Sequence, residues 1–139
     1  MIAVFMVTVV VMSLSLLFPK ASKGIASNQQ RLIATNLAAS KIEDIKKQPY
    51  AYIDLSSALP APCDCNAINY ATFPSETVTS SPGTTYTRYV CVTLVSYNSG
   101  SWTPQCSPDT GYKSIRVHVA WPSGSDTLSV DQESLVTRY

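Results

Sequence analysis

The sequence of 139 residues carries a formal net charge of +1, and only 14% of its residues are charged. Its Lys and Arg residues are scattered without a basic stripe, which excludes nucleic-acid binding and strong attraction to anionic lipid as organising functions. Once the apolar N-terminal run is set aside, about 90–120 residues remain, enough for one globular domain.

That run, Met1–Phe18, contains no charge, no Gly and no Pro, and Pro19 and Lys20 close it. It sits at the short end of what crosses a bilayer, for which roughly 20 residues are typical. A cleaved secretory signal competes with a retained helix, but the basic n-region and an A-x-A site are missing. A core helix apolar on every side is out of proportion to a chain this small. In lipid the backbone must pair internally, so helix prevails despite the β-branched residues Val4, Val7, Thr8, Val9, Val10 and Val11. Pro19 removes a ladder bond and marks a kink.

From Lys20 to Gln48 the helix is predicted to continue in amphipathic form. Ala34, Leu37/Ala38, Ile42 and Ile45 recur at three- to four-residue steps and form one apolar stripe. Glu43 and Lys47 are spaced for an i,i+4 pair, Lys46 and Lys47 suit the helix C-terminus, and Pro49 ends it.

Pro49 to Gly83 reads as irregular, rich in Pro, Ser and Ala. Tyr50, Tyr52, Ile53 and Leu55 are expected to tuck against the helix end, and Ala67–Thr72 to form a short edge strand. So long a loop needs pinning. The chain holds four cysteines, Cys63, Cys65, Cys91 and Cys106. An even number beside an export signal points to two disulfides in an oxidising compartment. Cys63 and Cys65 are too close to join each other easily, so each pairs with Cys91 or Cys106. The spacing matches no common zinc finger.

Strands follow. Thr84–Tyr97 alternates around Tyr86, Arg88, Val90, Val92 and Leu94, and Asn98-Ser99-Gly100-Ser101 is a turn. Lys113–Trp121 places Ile115, Val117, Val119 and Trp121 on one face, with Arg116, His118 and Ala120 on the other. Pro122–Asp126 is a hairpin turn. Thr127–Arg138 returns, with a change of phase at Asp131–Ser134 that predicts a bulge or break. Three or four antiparallel strands with one apolar face need a cover, and the amphipathic helix is the candidate. The fold class expected is α+β: a long helix over 1–48, of which 1–18 forms the membrane or filament-core half, packed on the small sheet of a disulfide-pinned headgroup over 49–139.

No catalytic constellation is present. His118 is the single histidine and reads as a strand residue. There is no G-x-S-x-G, P-loop or H-E-x-x-H motif. The acids Asp54, Asp64, Asp109, Asp126 and Asp131 are dispersed, with Asp109 and Asp126 in turn contexts. No catalytic residue, cofactor or metal site is expected, and the chain does not read as an enzyme.

Three stretches carry a resemblance. Met1-Ile2-Ala3-Val4 resembles the pilin N-terminus just past its early Glu. Thr35-Asn36-Leu37-Ala38-Ala39-Ser40-Lys41-Ile42-Glu43-Asp44-Ile45 resembles the A-x-N-L-A-x-x-K-(I/L)-E-x-(I/L) segment of minor pilins. Ser114–Trp121 and Thr127–Thr137 resemble their C-terminal hairpin. The chain thus resembles the type IV pilins and the pseudopilins of type II secretion, minor pilins most of all. The basic leader, the Gly–Phe junction and the early Glu of these families have no counterpart here, and this alignment places them upstream of Met1.

The resemblance implies a structural subunit of a type IV pilus-like filament. Met1, Val4, Phe5, Val9, Met12, Leu16 and Leu17, with Pro19, would form its assembly helix. Implied partners are other pilin subunits, the inner membrane before assembly and the assembly machinery. Implied locations are the inner membrane, in a single pass with the C-terminal domain outside the cytoplasm, and the extracellular filament. A secretion pseudopilin and a non-assembling anchored or secreted β-domain binding module are the alternatives.

Overall fold

The computed structural model describes residues 27–56, 65, 73–80 and 83–138. The expectations for Met1–Phe18, for the rest of the helix up to residue 26 and for an edge strand at Ala67–Thr72 lie outside them. The chain divides into two compact units, Met1–Ile33 and Ala34–Tyr139. Of the first, residues 27–33 are described and are helical.

Helix α1 covers residues 27–46. A 3₁₀ turn follows at Tyr50–Tyr52, and then five strands: β1 Glu76–Thr79, β2 Thr85–Asn98, β3 Ser101–Gln105, β4 Tyr112–Ser123 and β5 Asp126–Thr137. They make one five-stranded sheet, with order β1-β2-β4-β5 and β3 added to β2. Every pairing is antiparallel.

The expected fold class is therefore corrected. Among the described residues there is no long helix. The single helix is short, and the second unit is mostly β. The physical reason lies in what each element buries. Ala34, Ala38, Ile42 and Ile45 form the buried face of α1, an Ala-rich stripe of small area. The strands supply most of the remaining core: Tyr86, Val90, Val92, Leu94, Ile115, Val117, Val119 and Trp121 are all buried. At about 25 cal/mol per Å² of apolar surface, the larger strand side chains dominate the driving force.

Register assigns the faces. Val90 pairs with Val117 and Val92 with Ile115, so the apolar residues of β2 and β4 share one face of the sheet. α1 is tied to that same face. Arg88 Nη1 donates to the Leu37 carbonyl at 3.1 Å, and Lys46 Nζ donates to Ser134 Oγ at 3.3 Å. The small side chains of Ala34 and Ala38 let the helix backbone approach closely enough for the first of these contacts.

The outer edge of β2 is shared. β1 pairs with it at Thr85–Arg88 and β3 at Leu94–Asn98, leaving a gap between them. Ser56 closes the gap. Its backbone N–H donates to the Val92 carbonyl, and its Oγ accepts from the Val92 N–H, both at 2.9 Å. The segment leading to Ser56 is held from below by Lys113. This buried ammonium donates to the carbonyls of Tyr50 at 2.9 Å and Ile53 at 2.6 Å, and lies 4.3 Å from the centre of the Tyr50 ring. Burial pushes the Lys113 ammonium down from its ordinary pKa, against the opposing pull of Asp109 and Asp54.

Several local expectations change. Ile53 is buried, but Tyr52 is 74% exposed and does not tuck against the helix. Tyr50 turns away to donate its hydroxyl to Asp109. Lys47 pairs with Asp44 at 2.9 Å, one residue nearer than the expected Glu43, because the helix gives way to a turn at Lys47. The predicted break in β5 is absent. Its ladder with β4 runs from Ser123↔Asp126 to Tyr112↔Thr137 without slip. Leu128, Val130 and Val136 share the helix-side face, while Leu135 points to the other, so the change of phase records use of both faces. The β4–β5 turn is tighter than Pro122–Asp126, because Pro122 and Ser123 belong to β4 and only Gly124 and Ser125 stand between the strands. At the β2–β3 turn Ser99 (φ 50°) and Gly100 (φ 87°) both adopt positive φ, the geometry of a tight hairpin connection.

Candidate functional site

The disulfide expectation is met at one bridge. Cys65 and Cys91 are joined, with Cα atoms 5.8 Å apart. Cys106 is also disulfide-bonded, to a residue outside those described. Cys63 is outside them as well, as are Met1, Val4, Phe5, Val9, Met12, Leu16, Leu17 and Pro19. No helix among the described residues is long and apolar enough to cross a membrane.

A charged cluster fixes α1 to the β1–β2 pair. Glu76, opposite Arg88 in the ladder, accepts from Arg88 through Oε2 and from Lys41 of the helix through Oε1. Burial works to raise the Glu76 pKa, but the hydrogen bonds and charges of Lys41 and Arg88 outweigh it and hold the carboxyl below its ordinary 4.5. A carboxyl depressed in the folded state contributes stability above its unfolded pKa and loses it as pH falls through the folded value. Stability should therefore decline as pH falls through and below the ordinary carboxylate range, and Glu76→Gln should flatten that decline; with Glu76 39% exposed and screened by solvent, the substitution should cost only about 0.5–1 kcal/mol at neutral pH. Denaturant midpoints of the two proteins across that range check the expectation; parallel curves would contradict it.

His118 is half-buried on β4. Its Nδ1 shares a hydrogen bond with Asp131 Oδ1 at 2.9 Å, and its ring lies 5.9 Å from that of Tyr89. Asp109 stands in the β3–β4 connection, where the Tyr50 hydroxyl first, and then the Gly111 N–H, hold its carboxyl below the usual carboxylate range. Among the described residues no group of three or more His, Cys, Asp or Glu is placed to hold a metal ion.

The face of the sheet away from α1 carries a feature that the sequence reading missed. Trp102 of β3 packs between Tyr97 of β2 and Tyr112 of β4, with both ring-centroid distances 5.1 Å. All three are exposed, Trp102 by 41%. Beside them opens a groove of about 600 Å³. Val95, Trp102 and Pro104 form one wall, and Arg116, Glu133 and Leu135 the other. Ser114, buried between the walls, donates to Glu133 Oε1 at 2.5 Å, and Arg116 Nη2 reaches Glu133 Oε2 at 3.3 Å. Cys65 also lines the groove. The available signal was the Asn98–Ser101 turn: a tight hairpin there forces Trp102 opposite Tyr97.

No family model, curated protein or solved structure matches the chain.

Proposed function

We propose that the chain is a structural subunit of a type IV pilus-like filament, of the minor-pilin kind. The observation that carries this reading is the segment Thr35–Ile45. Its sequence resembles the corresponding minor-pilin segment, and its apolar positions Ala38, Ile42 and Ile45 are the ones α1 buries. Two further features support it: a C-terminal β-hairpin and a cystine-pinned edge on β2. In this proposal the apolar segment Met1–Phe18 rests in the inner membrane and is then extracted into a filament, where contact with the equivalent segments of other subunits replaces contact with lipid. The β unit faces outward.

Site-specific photo-cross-linking from Leu16, in cells that make the filament, tests the proposal. Adducts with other filament subunits are expected. Adducts with lipid alone in every fraction would count against it and favour an anchored binding module.

A further inference from the structure

The groove on the sheet face away from α1 lies beside the Cys65–Cys91 cystine, whose Cys65 lines it. We propose that it is a binding site for a neutral saccharide, with the ring of Trp102 as the stacking platform and the Arg116–Glu133 pair as the hydroxyl-binding edge.

The charge of the groove comes first. Among the described residues its walls hold one cation, Arg116, and one anion, Glu133, already paired at 3.3 Å. The sum is zero, so nothing there selects a phosphate, a nucleic acid or an acidic or basic peptide. A ligand of either sign would meet a repelling charge beside the attracting one. Next is the mixture of surfaces. Val95, Trp102, Pro104 and Leu135 offer apolar contact, while Ser114, Arg116 and Glu133 offer hydrogen bonds. A purely apolar occupant would bury the Arg116–Glu133 pair without replacing its water, which is unfavourable. A ligand that is neutral, has a flat apolar face and carries hydroxyls around its edge suits both surfaces, and a pyranose ring has all three properties.

The geometry of the polar edge fits as well. Ser114 and Arg116 each donate to a different oxygen of Glu133. These bonds hold the carboxylate plane fixed, and each oxygen keeps a second lone pair to accept from a sugar hydroxyl. Arg116 has five N–H donors, one of which is engaged by Glu133. The indole is braced on two sides by Tyr97 and Tyr112, so a stacking ligand meets a ring that is already ordered. The groove volume, about 600 Å³, lies within the range of about 300–1,000 Å³ usual for small-molecule sites.

The inference does not depend on filament assembly. The test uses the full chain in a zwitterionic detergent, with no glycosidic detergent present. Cellotriose, maltotriose and chitotriose are the probes, followed by equilibrium dialysis. Saturable binding of at least one, with a midpoint of about 0.1–1 mM, is expected. Trp102→Ala should weaken it by about tenfold or more, and Glu133→Gln by several-fold. Trp102→Phe keeps a stacking ring and should retain most of the binding. Near-ultraviolet circular dichroism and the thermal midpoint confirm that each variant is folded. Absence of saturable binding for all three sugars up to about 10 mM would overturn the proposal. So would binding that Trp102→Ala leaves unchanged. A Trp102→Ala protein whose only defect is loss of contact with other subunits would assign the aromatic patch to assembly and also overturn it.

Discussion

Trp121→Ala should lower the stability of the β unit by about 3–5 kcal/mol, the largest effect expected of any single substitution here. Trp121 is 1% exposed and lies 5.8 Å, centroid to centroid, from the ring of the fully buried Tyr86. It stands opposite Leu128 in the β4–β5 ladder and belongs to the row of Ile115, Val117 and Val119 that α1 faces. Truncation removes the largest side chain of that row and leaves a cavity that two paired strands cannot close by collapsing. One term works in the opposite direction. The indole N–H meets no acceptor among the described residues, and an unsatisfied buried donor costs about 1–3 kcal/mol. Trp121→Phe removes that donor while keeping most of the volume, so it should cost far less than Trp121→Ala. Trp102→Ala is the control: a ring 41% exposed should contribute about 1–2 kcal/mol through its two aromatic neighbours. Chemical denaturation monitored by far-ultraviolet circular dichroism reads all three. Equal losses at Trp121 and Trp102 would contradict this assignment of the core.

The second large effect is expected at the cystine. Replacing Cys65 and Cys91 together by Ala removes a cross-link spanning 26 residues. Loop-closure entropy in the unfolded chain puts the loss at roughly 3.5 kcal/mol. The location adds a specific consequence. Cys91 precedes Val92, whose backbone is paired with Ser56 across the gap between β1 and β3. Without the bridge, amide exchange at Val92 should accelerate more than at Val117, which lies in the β4 ladder between two strands. An unchanged denaturation midpoint, or uniform acceleration across the sheet, would show that the bridge does not pin this edge.

The parts of this fold that were legible in the sequence are those whose signal is local. In β4 the alternation of Ile115, Val117, Val119 and Trp121 specifies both a strand and its buried face. The stripe of Ala34, Ala38, Ile42 and Ile45 specifies the inner side of α1 in the same way. Gly100 and Gly124 mark turns because positive φ suits them. What could not be read depends on long-range contact. β1 is four residues long and has little periodicity; it is a strand because Glu76 meets Arg88 and Lys41. β3 contains Pro104 and is exposed along most of its length, so no apolar face announces it. Its pairing follows from the preceding turn. Ser56 carries no local sign that it will close a sheet edge, and Lys113 reads as a surface lysine until the carbonyls of Tyr50 and Ile53 are seen beside it. The change of phase at Asp131–Ser134 was misread as a break for a simpler reason: a strand that uses both faces mimics a strand that breaks.

The groove was hidden in the same manner. Tyr97, Trp102 and Tyr112 are separated in sequence and come together only through two strand registers. Arg116 and Glu133 are likewise brought opposite each other by the β4–β5 ladder. A site assembled across four strands leaves no compact motif.

The most direct measurement of the central claim is the cross-link from Leu16. A photoreactive residue at that position, in cells assembling filaments, is irradiated before and after the filaments are sheared from the surface, and the adducts are identified by mass spectrometry. A filament subunit predicts adducts to the apolar N-terminal segments of other subunits in the sheared fraction, with the same residue labelling lipid in the membrane fraction. Adducts confined to the membrane fraction, with none of this protein among the sheared filaments, would contradict the account.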